Sequence, residues 1–141
     1  MAGSKIGRIN PATGELKEFT PPTPAQGARR IMPDPRTGIV WFTEFNAGKI
    51  GSFDPQTEKF AEYPIATPNA QPYAIFVDGQ AGVWFSEFAA NKLGRLDAGT
   101  GRIEEWELPS RGTGCRTLIA DAAGTIWCPG SGVSKLLRFG G

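Results

Sequence analysis

Two interleaved motif series that recur about every 43 residues, turn residues at fixed places within each period, and short apolar stretches with no helix-period segment predict an all-β protein made of β-propeller blades. The first series carries a tryptophan: Trp41, Trp84 and Trp127, each preceded by Val or Ile and by a glycine turn. The second opens on a lysine, at Lys5, Lys49, Lys92 and Lys135, and reads Lys-Ile-Gly-Arg-Ile-Asn in its first copy. The longer turn Asp34-Pro35-Arg36-Thr37-Gly38 accounts for the single extra residue in the first lysine interval.

Each period reads as four short strands. An apolar first strand (Arg30 to Met32, Ala74 to Val77, Leu118 to Ala120) runs into an Asp-containing turn suited to a hairpin. The tryptophan strand follows, then the lysine strand, which ends in turns such as Asn10-Pro11-Ala12-Thr13-Gly14. The fourth strand (Leu16 to Phe19, Phe60 to Tyr63, Ile103 to Trp106) alternates polar and apolar, so one of its faces is buried and the other wet. A β-solenoid is the competing architecture, but its coils use shorter periods and fewer turns.

The 141 residues suffice for one ordinary domain. With 15 basic and 14 acidic side chains the net charge is +1, so no nucleic-acid partner and no basic membrane anchor is expected. The apolar runs are too short to span a bilayer. No secretory signal pattern is visible, and a cytoplasmic location is expected. Residues 1–4 read as a leader outside the fold.

Residues 5–141 then read as a segment of about three blades. The third and fourth strands of a split blade come first, two full blades follow, and the first and second strands of another split blade plus a spare strand come last. A blade buries its faces only against neighbours. Three blades therefore imply association with copies of the same chain into a closed ring, with the two half-blades completing each other. A homodimer gives six blades and a homotrimer nine, against the usual range of about four to eight.

The Val/Ile-Trp-Phe-Thr/Ser-Glu strand, the Asn-Lys-Leu-Gly-Arg-Leu-Asp strand at Asn91 to Asp97, the Thr-Gly segment that follows it, and the linker Asn69-Ala70-Gln71-Pro72-Tyr73-Ala74-Ile75 resemble the repeat of the streptogramin lyase (virginiamycin B lyase) family. The resemblance runs from Lys5 to Phe139 and implies a propeller, which in that family closes as seven blades within one longer chain. It also implies a lyase that opens a cyclic depsipeptide antibiotic at its ester by elimination, with a histidine base, Mg²⁺ and nearby glutamates. This chain contains no histidine, and copies of it cannot supply one. The expectation is a self-assembling propeller scaffold without catalysis and without a cofactor; Mg²⁺ enters only under the lyase alternative. A propeller that binds a small molecule or a protein at its rim is the third reading.

The candidate rim residues are Arg29, Glu44, Tyr73, Glu87 and Arg116. Glu44 and Glu87 end two tryptophan strands and would either face a cation or cap backbone of the next blade. Gly130 breaks this series. Arg29, Tyr73 and Arg116 are equivalent in the repeat, with Arg30 and Arg111 nearby, and would either form a positive, aromatic-lined pocket or pair with the glutamates. The tryptophans, Trp106 included, are expected to pack between blades. Cys115 and Cys128 fall nearly opposite each other in one hairpin and would form a disulfide or remain two buried thiols. Ser110, Ser131 and Ser134 lack a histidine partner, and Gly99-Thr100-Gly101 belongs to a repeated turn rather than a phosphate loop.

Overall fold

The computed structural model describes residues 4–140, so most of the stretch read as a leader lies outside the described residues. Ser4 is described, and its carbonyl accepts a hydrogen bond from Gln26 Nε2 at 3.3 Å. The described residues form thirteen strands and no helix. They build four antiparallel sheets in chain order. β1 (Ile6–Ile9) pairs with β2 (Leu16–Phe19). The second sheet is β3 (Ala28–Pro33), β4 (Val40–Glu44), β5 (Lys49–Asp54) and β6 (Lys59–Pro64), each strand beside the next. The third repeats that order with β7 (Pro72–Val77), β8 (Gly82–Glu87), β9 (Lys92–Asp97) and β10 (Ile103–Glu107). The last comprises β11 (Ile119–Ala120), β12 (Ile126–Gly130) and β13 (Lys135–Phe139). β11 is shorter than the predicted Leu118 to Ala120, and beyond it only an isolated bridge joins Cys115 to Gly130.

Strand alternation sends successive side chains of each tryptophan strand to opposite faces. Three cores between neighbouring sheets result. Phe42 and Phe53 pack back against Ile6 and Phe19. Trp41, Ile50 and Ile65 pack forward against Ile75, Val83, Phe85 and Leu96. Ala74 and Leu93, with Trp84 partly buried beside them, meet Leu118, Ile126 and the two cysteines. Trp41, Trp84 and Trp106 thus pack between blades, Trp84 stacking on Trp106 at 5.8 Å and Trp41 lying 5.7 Å from Tyr63, whereas Trp127 stands on the forward face of the last sheet beside the exposed Ile119.

A glycine in the lysine strand makes room for the phenylalanine. A Cβ on Gly51 would stand 2.2 Å from Phe42 Cζ, and one on Gly94 equally close to Phe85. The fourth sheet solves the same position differently. Cys128 replaces the phenylalanine, Leu137 replaces the glycine directly across from it, and Cys115 and Cys128 are joined in a disulfide.

Candidate functional site

The two full sheets carry a register irregularity at the start of the inner strand, between Ala28 and Ile31 and between Pro72 and Ile75. A buried hydroxyl pins each one. Thr43 Oγ1 accepts from Arg30 N at 3.1 Å and donates to Tyr73 O of the next sheet at 3.1 Å. Ser86 Oγ accepts from Ala74 N at 2.9 Å and donates to Cys115 O at 2.8 Å. The residues that follow are thereby held in step from sheet to sheet.

Their side chains form a ridge. The Arg29 guanidinium stands 4.4 Å from the Phe45 ring centre and 5.9 Å from that of Tyr73. Arg30 lies 4.9 Å from Tyr73, and Arg116 lies 5.3 Å from Phe88. Tyr73 meets Phe45 edge-on at 6.0 Å and Phe88 at 5.5 Å. All three arginines are exposed, and Tyr73 is half-buried. The pairing of Arg29 and Arg116 with Glu44 and Glu87 that the sequence left open is not found. Among the described residues no carboxylate ion-pairs with Arg29, Arg30 or Arg116.

Glu44 and Glu87 lie elsewhere. Both are buried, 0% and 1% exposed, and neither carboxyl oxygen has a donor among the described residues, so they cap no backbone group. The cross-strand register instead sets Glu44 opposite Lys49 and Glu87 opposite Lys92. Each neighbours a second carboxylate from the outer strand. Glu62 is held by Lys49 Nζ at 2.8 Å and by the Thr23 hydroxyl and amide at 2.6 and 2.9 Å. Glu105 accepts from the Thr67 hydroxyl, which in turn accepts from Lys92 Nζ at 2.9 Å.

Burial, aided by the charge of Glu62 and opposed by Lys49, pushes the Glu44 carboxyl up to about 7. Burial, then the hydrogen bond and charge of Glu105, push Glu87 up to about 8. Burial also acts on Glu62, but the bonds from Lys49 and Thr23 outweigh it and bring that group below its ordinary value. Two facing carboxyls can hydrogen-bond only when one carries the proton, which is why the inner oxygens have no donor while both are ionised. The third copy has no acid: Lys135 Nζ reaches Ser110 Oγ at 3.2 Å beside Gly130.

Lys49, Glu62 and Thr23, and their equivalents Lys92, Glu105 and Thr67, are the partners the sequence reading did not assemble. The signal was present as a lysine five residues after each glutamate. Phe45 and Phe88, each following one of those glutamates, were likewise missed as ridge residues. Magnesium calls for a near-octahedral set of oxygens. Among the described residues no three His, Cys, Asp or Glu side chains are grouped to hold a metal ion; Lys49 already pairs with Glu62, and Lys92 bonds to the Thr67 hydroxyl that donates to Glu105. These residues do not fit a magnesium site.

Successive sheets of one repeat, packed face to face with their inner strands adjoining, define a segment of a β-propeller. The chain belongs to the virginiamycin B lyase family, whose sequence pattern matches residues 1–138. Similar solved structures include a streptogramin B lyase, at 28% identity and a TM-score of 0.84, covering 96% of this chain and 47% of that one. Virginiamycin B lyase from Staphylococcus aureus follows at 27% identity and 0.83, covering 96% and 48%. A catalytically inactive histidine-to-alanine variant of that enzyme, with quinupristin, matches at 26% and 0.83, covering 96% and 48%. The chain spans about half the length of these structures. No curated protein matches it.

Proposed function

We propose that this chain is a non-catalytic propeller scaffold that associates head to tail with a second copy of itself. One observation carries the reading. The forward face of the fourth sheet exposes Ile119 (56%) and Leu136 (66%), and the back face of the first exposes Ile9 (63%) and Leu16 (61%). By register these positions are the counterparts of Phe76 and Leu93, and of Phe53 and Phe60, all of which lie in the cores between sheets. The two open faces are therefore the same two kinds of face that pack against each other three times within the chain. A head-to-tail contact between them repeats a proven fit, and apolar faces of this kind drive association.

Merging the two incomplete sheets into one blade is the less favourable route. It would replace β13 by β1 and set Gly7 opposite the small Cys128, where Leu137 now fills the space. Face-to-face stacking keeps every sheet intact, and two copies then contribute eight sectors, within the range of about four to eight that closes.

The lyase alternative lacks its base. No histidine exists in the chain, whereas the S. aureus enzyme with one histidine changed to alanine is described as catalytically inactive. Sedimentation equilibrium over a wide range of concentration tests the scaffold reading. A mass of two chains is expected, and a stable monomer overturns it. Linearisation of quinupristin by the purified chain would overturn the non-catalytic half.

A further inference from the structure

We propose that the arginine–aromatic ridge of Arg29, Arg30, Tyr73, Phe88 and Arg116 is a binding site for a ligand with two oxyanion groups, of the phosphate or carboxylate kind. The like charges are the first argument. Arg29 and Arg30 both stand within 6 Å of the centre of one ring, that of Tyr73, and no carboxylate lies between them among the described residues. Two guanidiniums on one ring without an ion-paired acid leave that ring edged by uncompensated positive charge, and a bound oxyanion compensates it.

The second argument is pre-organisation. A guanidinium resting on a ring face loses freedom in advance and keeps its N–H edges outward, the geometry that takes a carboxylate or phosphate through two parallel bonds. The Thr43 and Ser86 hydroxyls fix the backbone that carries these side chains, so their spacing is set by buried hydrogen bonds rather than by loop conformation. Arg116 reaches the same row from the next sheet over Phe88, whose ring centre is 5.5 Å from that of Tyr73. In this assignment one oxyanion group binds Arg29 and Arg30 beside Tyr73, a second binds Arg116 beside Phe88, and the connecting part of the ligand lies across the two rings.

The site draws on three successive inner-strand regions, with Arg29 and Arg30 on β3, Tyr73 on β7 and Arg116 just before β11, and it does not depend on ring closure. Titration of the full chain with pyrophosphate and with succinate at low salt, followed by the Nε–H signals of the arginines, tests it. Saturable shifts confined to Arg29, Arg30 and Arg116 are expected. Arg116→Ala, and separately Arg30→Ala, should weaken binding by roughly tenfold or more, while Arg116→Lys, which keeps the charge but not the fork, falls between. Arg102→Ala, an exposed arginine paired with Glu104 on another strand, should leave binding unchanged. Tighter pyrophosphate marks the site as one for phosphates, and tighter succinate as one for carboxylates. Absence of saturation with both, or an equal loss in Arg102→Ala, overturns the proposal.

Discussion

A buried glutamate without a donor is costly to ionise, and among the described residues Glu44 and Glu87 both have none. Their folded values of about 7 and about 8 exceed the ordinary 4.5 of an unfolded glutamate. The folded chain therefore holds protons that the unfolded chain has released. This stabilisation is fully present below pH 4.5 and is lost as the pH rises through 7 and 8. The turn aspartates Asp34, Asp54, Asp97 and Asp121 have lowered values, so their contribution is lost only as the pH falls below about 3.8. Thermal melts should show Tm highest at about pH 5 and falling steadily to pH 8. The double variant Glu44→Gln/Glu87→Gln should flatten the alkaline side of that curve; an unchanged slope would place the protons elsewhere. The indoles add a second contrast at the same scale. Trp84 and Trp127 donate to Asp78 and Asp121 at 2.8 Å, but the buried Trp41 Nε1 has no partner among the described residues, because Arg36 in the longer turn engages Asp34. Chemical denaturation should find Trp41→Phe less costly than Trp84→Phe by about 1–2 kcal/mol.

At the scale of the element, the exchange of space between strands decides which substitutions are tolerated. Gly94→Ala puts a methyl into the Phe85 ring and should cost about 1–3 kcal/mol or more in urea unfolding. Gly7→Ala, at the equivalent place in β1, meets only Leu16 Cδ1 at 3.5 Å and should be close to neutral. The cysteine bridge closes a loop of 13 residues around a first strand only two residues long, so Cys115→Ala/Cys128→Ala should lower stability by about 3 kcal/mol. The strands themselves were legible in the sequence, because the tryptophan and lysine series mark the second and third strands directly and the alternation of Ile103 to Trp106 marks an outer one. The site was legible only in part. The pattern placed Arg29, Tyr73 and Arg116 on one line, but it set Glu44 and Glu87 at an open mouth. What moved them inward is cross-strand register, which puts each directly opposite a lysine and within reach of an outer-strand carboxylate. Periodicity along one strand carries no information on which residues of two neighbouring strands face each other.

For the whole molecule the decisive property is that its two open faces differ. A contact between unlike faces is heterologous, so each copy offers one donor face and one acceptor face. Burying an exposed Leu or Ile contributes about 1.5–3 kcal/mol, and a charge left in such a contact removes that and adds a desolvation cost. Ile9→Lys should therefore disrupt the back face and Leu136→Glu the forward face, each yielding a monomer at concentrations where the unaltered chain is dimeric. Both positions are exposed in the single chain, so neither change should disturb its fold. Mixing the two variants then distinguishes the geometry. The Ile9→Lys chain keeps an intact forward face and the Leu136→Glu chain an intact back face, so the pair can make one undamaged contact. The remaining contact sets the introduced lysine against the introduced glutamate. Equimolar mixing should restore a 1:1 complex in sedimentation, while each variant alone stays monomeric. A contact between like faces would behave differently, since each variant would keep one undamaged face that can meet the same face of its own kind, and mixing would not be needed for a complex to form. No recovery on mixing would rule out the head-to-tail arrangement even if the unaltered chain proved to be a dimer.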